Sequence, residues 1–160
     1  MAKKKIKTNA IRHLEAQQIV FHTTEYRWDE ETLSAVDAAR DLGVAPDEIY
    51  KTLVLTGTTT PYLVAVIPGD ATLDLKKLAK ISGNKKVDML PMKELESLTG
   101  YVHGGCSPIG MKKKFPTFYF ENMLSLSEVR VSAGKRGLQL VIDPSYLVEV
   151  TDGILGDIIK

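Results

Sequence analysis

The sequence predicts one α/β or α+β domain, and three observations carry that reading. Segments with apolar residues at helical spacing alternate with short runs rich in valine, isoleucine and aromatic residues. The 160 residues are 44% apolar and 26% charged, which gives enough nonpolar surface for one sizeable core at the length of an ordinary domain. Neither an internal repeat nor a linker rich in Gly, Pro or Ser divides the chain.

Residues 1–8 read as a basic, flexible N-terminus, and residues 9–160 as the domain. The basic start lacks the apolar stretch of a secretory signal. Over residues 9–18, Ala10, Ile11 and Leu14 fall on one helical face, with Asn9 placed to cap the first turn. Ile19, Val20 and Phe21 begin an extended segment that continues to Tyr26 and Trp28. Acidic residues 29–31 then precede a helix with Leu33, Val36, Ala39 and Leu42 on one face, stopped by Gly43 and Pro46.

Two strands follow at 49–55 and 62–67, joined by Gly57 and a threonine run ending at Pro61, the pattern of a hairpin. Leu75, Leu78 and Ile81 mark a third helix over 74–81, ending at Ser82 and Gly83. A short strand is expected at 85–90, a short helix at 91–98 and another strand at 100–103. After a loop at 104–114 come strands at 117–120, 129–132 and 138–142 and a helix at 144–148.

A net charge of +1, from 21 basic and 20 acidic residues, excludes a bulk electrostatic nucleic-acid binder, so any such contact must be local. One cysteine cannot form an intramolecular disulfide and fits a reducing compartment, so a cytoplasmic location is expected. The apolar run at 62–67 is far short of the roughly 20 residues that span a bilayer, so no membrane association is expected.

Strand alternation puts Ile49, Lys51, Leu53 and Leu55 on one face, so a lysine shares a side otherwise filled by apolar groups. An ammonium there loses hydration unless it is paired, which points to a functional lysine; a strand-end lysine reaching water is the competing reading. Gly104, Gly105, Cys106, Ser107, Pro108, Ile109 and Gly110 form a loop whose amides could face an oxyanion or phosphate, or simply turn the chain. Lys112, Lys113 and Lys114 follow it as a basic run suited to a phosphate backbone or to plain solvation. Ser132 to Gly137, with Gly134, Lys135 and Arg136, repeats the combination of small residues and cations, and also suits a tight turn. His13, His22 and His103 are scattered and no zinc-ligand spacing occurs, so neither a metal nor another cofactor is expected. Cys106 has no histidine in a recognisable pattern with it and reads as a packing residue.

Three ordered blocks resemble one known arrangement: Tyr50-Lys51-Thr52-Leu53-Val54, then Gly100 and Tyr101 with Gly104 through Gly110, then Val131 through Leu138. Together they resemble the YbaK family of aminoacyl-tRNA deacylases, related to the editing domain of bacterial prolyl-tRNA synthetase, over nearly the whole chain from Asn9. The resemblance implies a compact domain around a mixed, barrel-like sheet surrounded by helices. It also implies an essential lysine at Lys51 and a pocket that includes Tyr26, Gly104, Gly105, Ser107, Ser132 and Gly134. Lys112, Lys113, Lys135 and Arg136 become the candidate tRNA contacts.

The implied substrate is Cys-tRNA(Pro), a product of prolyl-tRNA synthetase mistaking cysteine for proline, with the synthetase as a transient partner. Such editing answers a physical limit, because a pocket sized for one small side chain rejects a near-isostere only weakly. In this family the substrate's own thiol is thought to attack its ester carbonyl and release a thiolactone, which fits a sequence with no evident catalytic triad. Two alternatives stand beside this reading: a deacylase for alanine or serine that uses water, and a non-catalytic tRNA- or synthetase-binding module or regulator.

Overall fold

A computed structural model describes residues 7–26, 39 and 42–160. The first helix, α1 (Asn9–Ala16), is capped by Thr8, whose Oγ accepts from Ile11 N at 3.2 Å, so the cap lies one residue before the Asn9 that spacing suggested. The same hydroxyl donates to the Ala133 carbonyl and ties the helix to the sheet below it. Helix α1 also stops short of residue 18, where Gln18 takes a positive φ of 58°. The extended segment after it is strand β1 (Phe21–Glu25). The helix expected around residues 33–42 lies almost entirely outside the described residues; Ala39 is buried against Ile49.

The hairpin forms as its sequence indicates. Strand β2 (Tyr50–Gly57) runs antiparallel to β3 (Tyr62–Pro68), with Lys51 opposite Ile67 and Leu55 opposite Leu63. Asn84 Oδ1 accepts from Thr59 N and Thr60 N, both at 2.8 Å, and fixes the hairpin tip. Helix α2 (Leu75–Ser82) is capped by Asp74, which accepts from Lys77 N at 3.0 Å, and ends at Gly83 with φ 75°. Strand β4 (Val87–Met89), a 3₁₀ turn and helix α3 (Leu95–Thr99) follow.

No strand forms at 100–103. Gly100 closes α3 with φ 86°, and the Thr99 hydroxyl donates to Leu95 O at 2.8 Å while accepting from Tyr101 N at 3.1 Å, so local bonds consume the groups a ladder would need. The remaining elements are β5 (Thr117–Phe120), β6 (Val129–Lys135), β7 (Leu138–Ile142), α4 (Pro144–Thr151) and β8 (Ile154–Gly156). Strand β6 runs three residues beyond its expected end because it pairs β7 through an irregularity between Ser132 and Lys135. Strand β8 escapes periodicity because its three residues include a glycine and it pairs parallel with distant β5.

The strands make a mixed five-stranded sheet ordered β4-β2-β3-β5-β8 and a three-stranded sheet ordered β1-β7-β6. A parallel bridge from Ile49 to Arg130 links them, and among the described residues the two sheets stay separate rather than closing into a barrel. Each face of the β2–β3 hairpin meets its own core. Val54, Val64 and Val66 pack with α1, β6 and β7, while Leu55, Leu63, Ala65 and Ile67 pack under α2. Burial on both faces explains why β3 reads as a continuous apolar run rather than an alternation. In the three-stranded sheet Val129, Val131, Ala133, Leu140 and Ile142 enter the core, which leaves the polar Arg130, Ser132 and Gln139 on the opposite face together with Val141, and there Gln139 and Val141 are buried as well.

Candidate functional site

That polar face of the three-stranded sheet and the start of β2 wall a cavity of about 470 Å³. Strand β2 contributes Lys51 and Thr52, β6 Ser132, β7 Gln139 and the loop after α3 His103, Gly104 and Cys106, with Tyr26 also on the wall. Lys51 is half-buried, and its ammonium makes no hydrogen bond or ion pair among the described residues. Structural lysines on apolar faces ordinarily reach water or a carboxylate. Among the described residues that line this cavity there is no Asp or Glu, and Lys51 is the lysine among them.

The loop at 104–110 is held from both sides. Tyr101 Oη donates to the Ile109 carbonyl at 2.7 Å, and burial pushes the phenol well above its usual pKa, which keeps it a donor. Arg136 Nε donates to the His103 carbonyl at 2.8 Å, and a Cβ on Gly105 would stand 2.9 Å from Arg136 N. The β6–β7 turn is therefore packed directly on the glycine backbone. Gly104 takes φ 83° and its N–H meets no acceptor among the described residues, whereas Gly105 N donates to Val102 O at 2.9 Å. Of the two glycines, Gly104 lines the cavity and keeps an unused donor.

Of the residues singled out in the sequence, Lys51, Tyr26, Gly104 and Ser132 line this cavity, whereas Gly105, Ser107 and Gly134 are not among its lining residues. Ser107 is fully buried, and its Oγ accepts from Ile109 N at 3.3 Å inside the loop. Gly134 has φ 96° and lies where a Cβ would be 2.7 Å from Tyr101 Cε1, so its role is close packing. Among the basic residues, Lys113 and Lys135 are exposed, Lys112 donates to Ser97 O at 3.2 Å, and Lys114 pairs with Asp152.

Cys106 lines the cavity at 8% exposure, and burial pushes its thiol up to about 12, so it stays protonated at neutral pH. Its hydrogen-bond partner is Thr99 rather than His103, so no nucleophile–base pair forms although both residues border the cavity. Burial likewise raises Tyr26, and burial with Asp47 and Asp70 raises Tyr50 to about 12, leaving two neutral phenols on the wall. Among the described residues no cluster of His, Cys, Asp and Glu could hold a metal.

Sequence reasoning did not single out His103, Thr52 or Gln139 as wall residues. His103 is exposed, while Gln139 is 3% exposed and pairs with Ser132 across the β6–β7 register. The available signal was a glutamine inside the otherwise apolar strand Leu138–Ile142. Thr52 Oγ1 and Gln139 Oε1 are buried side-chain atoms without a hydrogen-bond partner among the described residues.

A model of the aminoacyl-tRNA editing domain matches residues 29–150. A protein of Enterococcus faecalis that carries the name Cys-tRNA(Pro)/Cys-tRNA(Cys) deacylase EbsC is 51% identical over 160 residues, covering 99% of this chain and 98% of its own. Proline–tRNA ligase of Pelobacter propionicus is 34% identical over 80 residues, half of this chain but 14% of the ligase. A solved structure described as a trans-editing enzyme for prolyl tRNA synthetase superposes with a TM-score of 0.84 at 24% identity, covering 98% of this chain and 99% of the other. Lys51 and Gly104 thus face a common cavity within a matched fold and a matched sequence, and the chain belongs to the aminoacyl-tRNA editing domain family.

Proposed function

We propose that this protein is a trans-editing aminoacyl-tRNA deacylase that clears Cys-tRNA(Pro), and also Cys-tRNA(Cys), using the substrate's own thiol as the nucleophile. The observation that carries this reading is a half-buried Lys51, unpaired among the described residues, in a cavity also lined by Gly104, whose N–H has no acceptor among those residues, and with no nucleophile–base pair among them. Lys51 orients the ester or the terminal adenosine, and Gly104 N–H stabilises the developing oxyanion. The thiol sulfur bonds to the ester carbonyl carbon, the bond from that carbon to the ribose oxygen breaks, and the thiol proton ends on that oxygen. Tyr26 and Ser132 shape the pocket.

The tRNA contacts assigned here are Lys112, Lys113, Lys135 and Arg136. Lys135 and Arg136 flank the glycine loop, where an acceptor end must approach. Gly105, Ser107 and Gly134 support the loop from behind. A near-neutral net charge gives weak intrinsic hold on tRNA, so specificity comes from prolyl-tRNA synthetase acting beside the protein in the cytoplasm.

His103 favours a second reading, because an exposed imidazole on the cavity border could activate water against Ala-tRNA or Ser-tRNA. Deacylation of a panel of charged tRNAs, with and without the synthetase, separates the two. Clearance of Cys-tRNA with Ser-tRNA and Ala-tRNA spared is expected. Equal clearance of Ser-tRNA, which has no thiol, would contradict the thiol route.

A further inference from the structure

Folded proteins pair nearly all their buried polar groups, and the exceptions call for a reason. Among the described residues two buried side-chain atoms have no partner, Thr52 Oγ1 and Gln139 Oε1, and both residues line the cavity that holds Lys51. They come from different sheets, β2 and β7, so a defect in one strand cannot account for both.

The neighbours of Gln139 sharpen the point. Ser132, its register partner on β6, accepts from Gly134 N at 3.1 Å, and Thr24, its partner on β1, accepts from Arg130 Nη1 at 3.3 Å. Its cross-strand neighbours are satisfied while the Gln139 carbonyl is bare.

We propose that Thr52 and Gln139 form the subsite that receives the α-amino group of the aminoacyl ester, an assignment that rests on the deacylase reading. A bare amide oxygen calls for a donor, and the amino group is the one strong N–H donor on a cysteinyl ester. Location agrees, since Gln139 is 3% exposed whereas His103 on the same wall is exposed, so the acyl group rather than the ribose reaches the glutamine. Charge agrees as well. A carboxylate in this cavity would pair with Lys51, whereas neutral dipoles hold an amino group and leave the ammonium free for the ester.

The test compares Cys-tRNA with 3-mercaptopropionyl-tRNA, which keeps the ester and the thiol and lacks the amino group. Single-turnover rates are each divided by the rate without protein. Wild type should clear Cys-tRNA roughly ten- to a hundredfold faster than the desamino substrate, the range set by leaving one buried polar group unpaired. Gln139→Leu and Thr52→Val should lower the Cys-tRNA rate and hold the desamino rate within about threefold of wild type, so that the preference collapses. Gln139→Leu should also melt at or above the wild-type temperature, since it removes a bare polar atom; a merely structural glutamine would give a lower value.

Variants that keep the full wild-type preference would overturn the assignment. So would variants that lose both substrates equally, which would place these groups on the ribose. A wild type that clears neither substrate overturns the deacylase reading as well, whereas activity on Cys-tRNA with an unchanged preference in both variants overturns the subsite alone.

Discussion

Lys51 and Cys106 border the same cavity, and burial keeps the Cys106 thiol neutral. The thiol's raised pKa links folding to pH in a definite direction. An unfolded cysteine ionises near its ordinary value of 9.0, whereas the folded one holds its proton to about 12. The stabilisation is therefore fully present below pH 9 and is lost as pH rises from 9 toward 12. Cys106→Ala should flatten that part of the stability profile in urea melts at pH 8 to 11, and a profile identical to wild type would contradict the assigned burial. That Lys51 shares a strand face with apolar residues was legible from alternation, while its candidacy as the essential lysine came from the family resemblance. Thr52 and Gln139 were not legible, because an unpaired hydrogen-bonding group is defined by what surrounds it in three dimensions and two sheets are needed to build that surrounding.

At the level of elements, the glycine loop owes its shape to the β6–β7 turn. Gly134→Ala would force a left-handed φ of 96° on alanine and place its Cβ 2.7 Å from Tyr101 Cε1. A loss of roughly 1–3 kcal/mol is expected, each kcal/mol lowering the melting temperature by roughly 2–4 °C, as read by calorimetry. Arg136→Ala removes the donor to the His103 carbonyl and should lower kcat for deacylation by about tenfold through a displaced Gly104, more than it weakens tRNA binding. A loss confined to binding would return Arg136 to a simple phosphate contact. The hairpin, α2 and β7 were legible since turn residues, caps and apolar runs are local signals. The cap at Thr8, the missing strand at 100–103 and the added β8 depend on which partner each backbone group finds, and that choice is made by the tertiary fold.

Across the whole molecule, a balance of 21 basic and 20 acidic residues leaves tRNA binding to a few local cations. Lys114 is paired with Asp152, and Lys112 lies over Gly100 with its ammonium on Ser97 O, which leaves Lys113 and Lys135 as the side chains best placed to meet phosphate. Lys135→Ala should reduce the slope of log K against log salt by about 0.7 for a single-stranded acceptor end, and an unchanged slope would remove Lys135 from the interface. Fold class followed from alternation and length; the cavity could not, since it lies where two sheets meet at the Ile49–Arg130 bridge. In the proposed mechanism Lys51, not Cys106, carries deacylation. Its most direct test is single-turnover clearance of Cys-tRNA(Pro) by folded Lys51→Ala and Cys106→Ala proteins. A loss of about a hundredfold or more for Lys51→Ala with near-wild-type clearance by Cys106→Ala is expected, and the reverse pattern would contradict it.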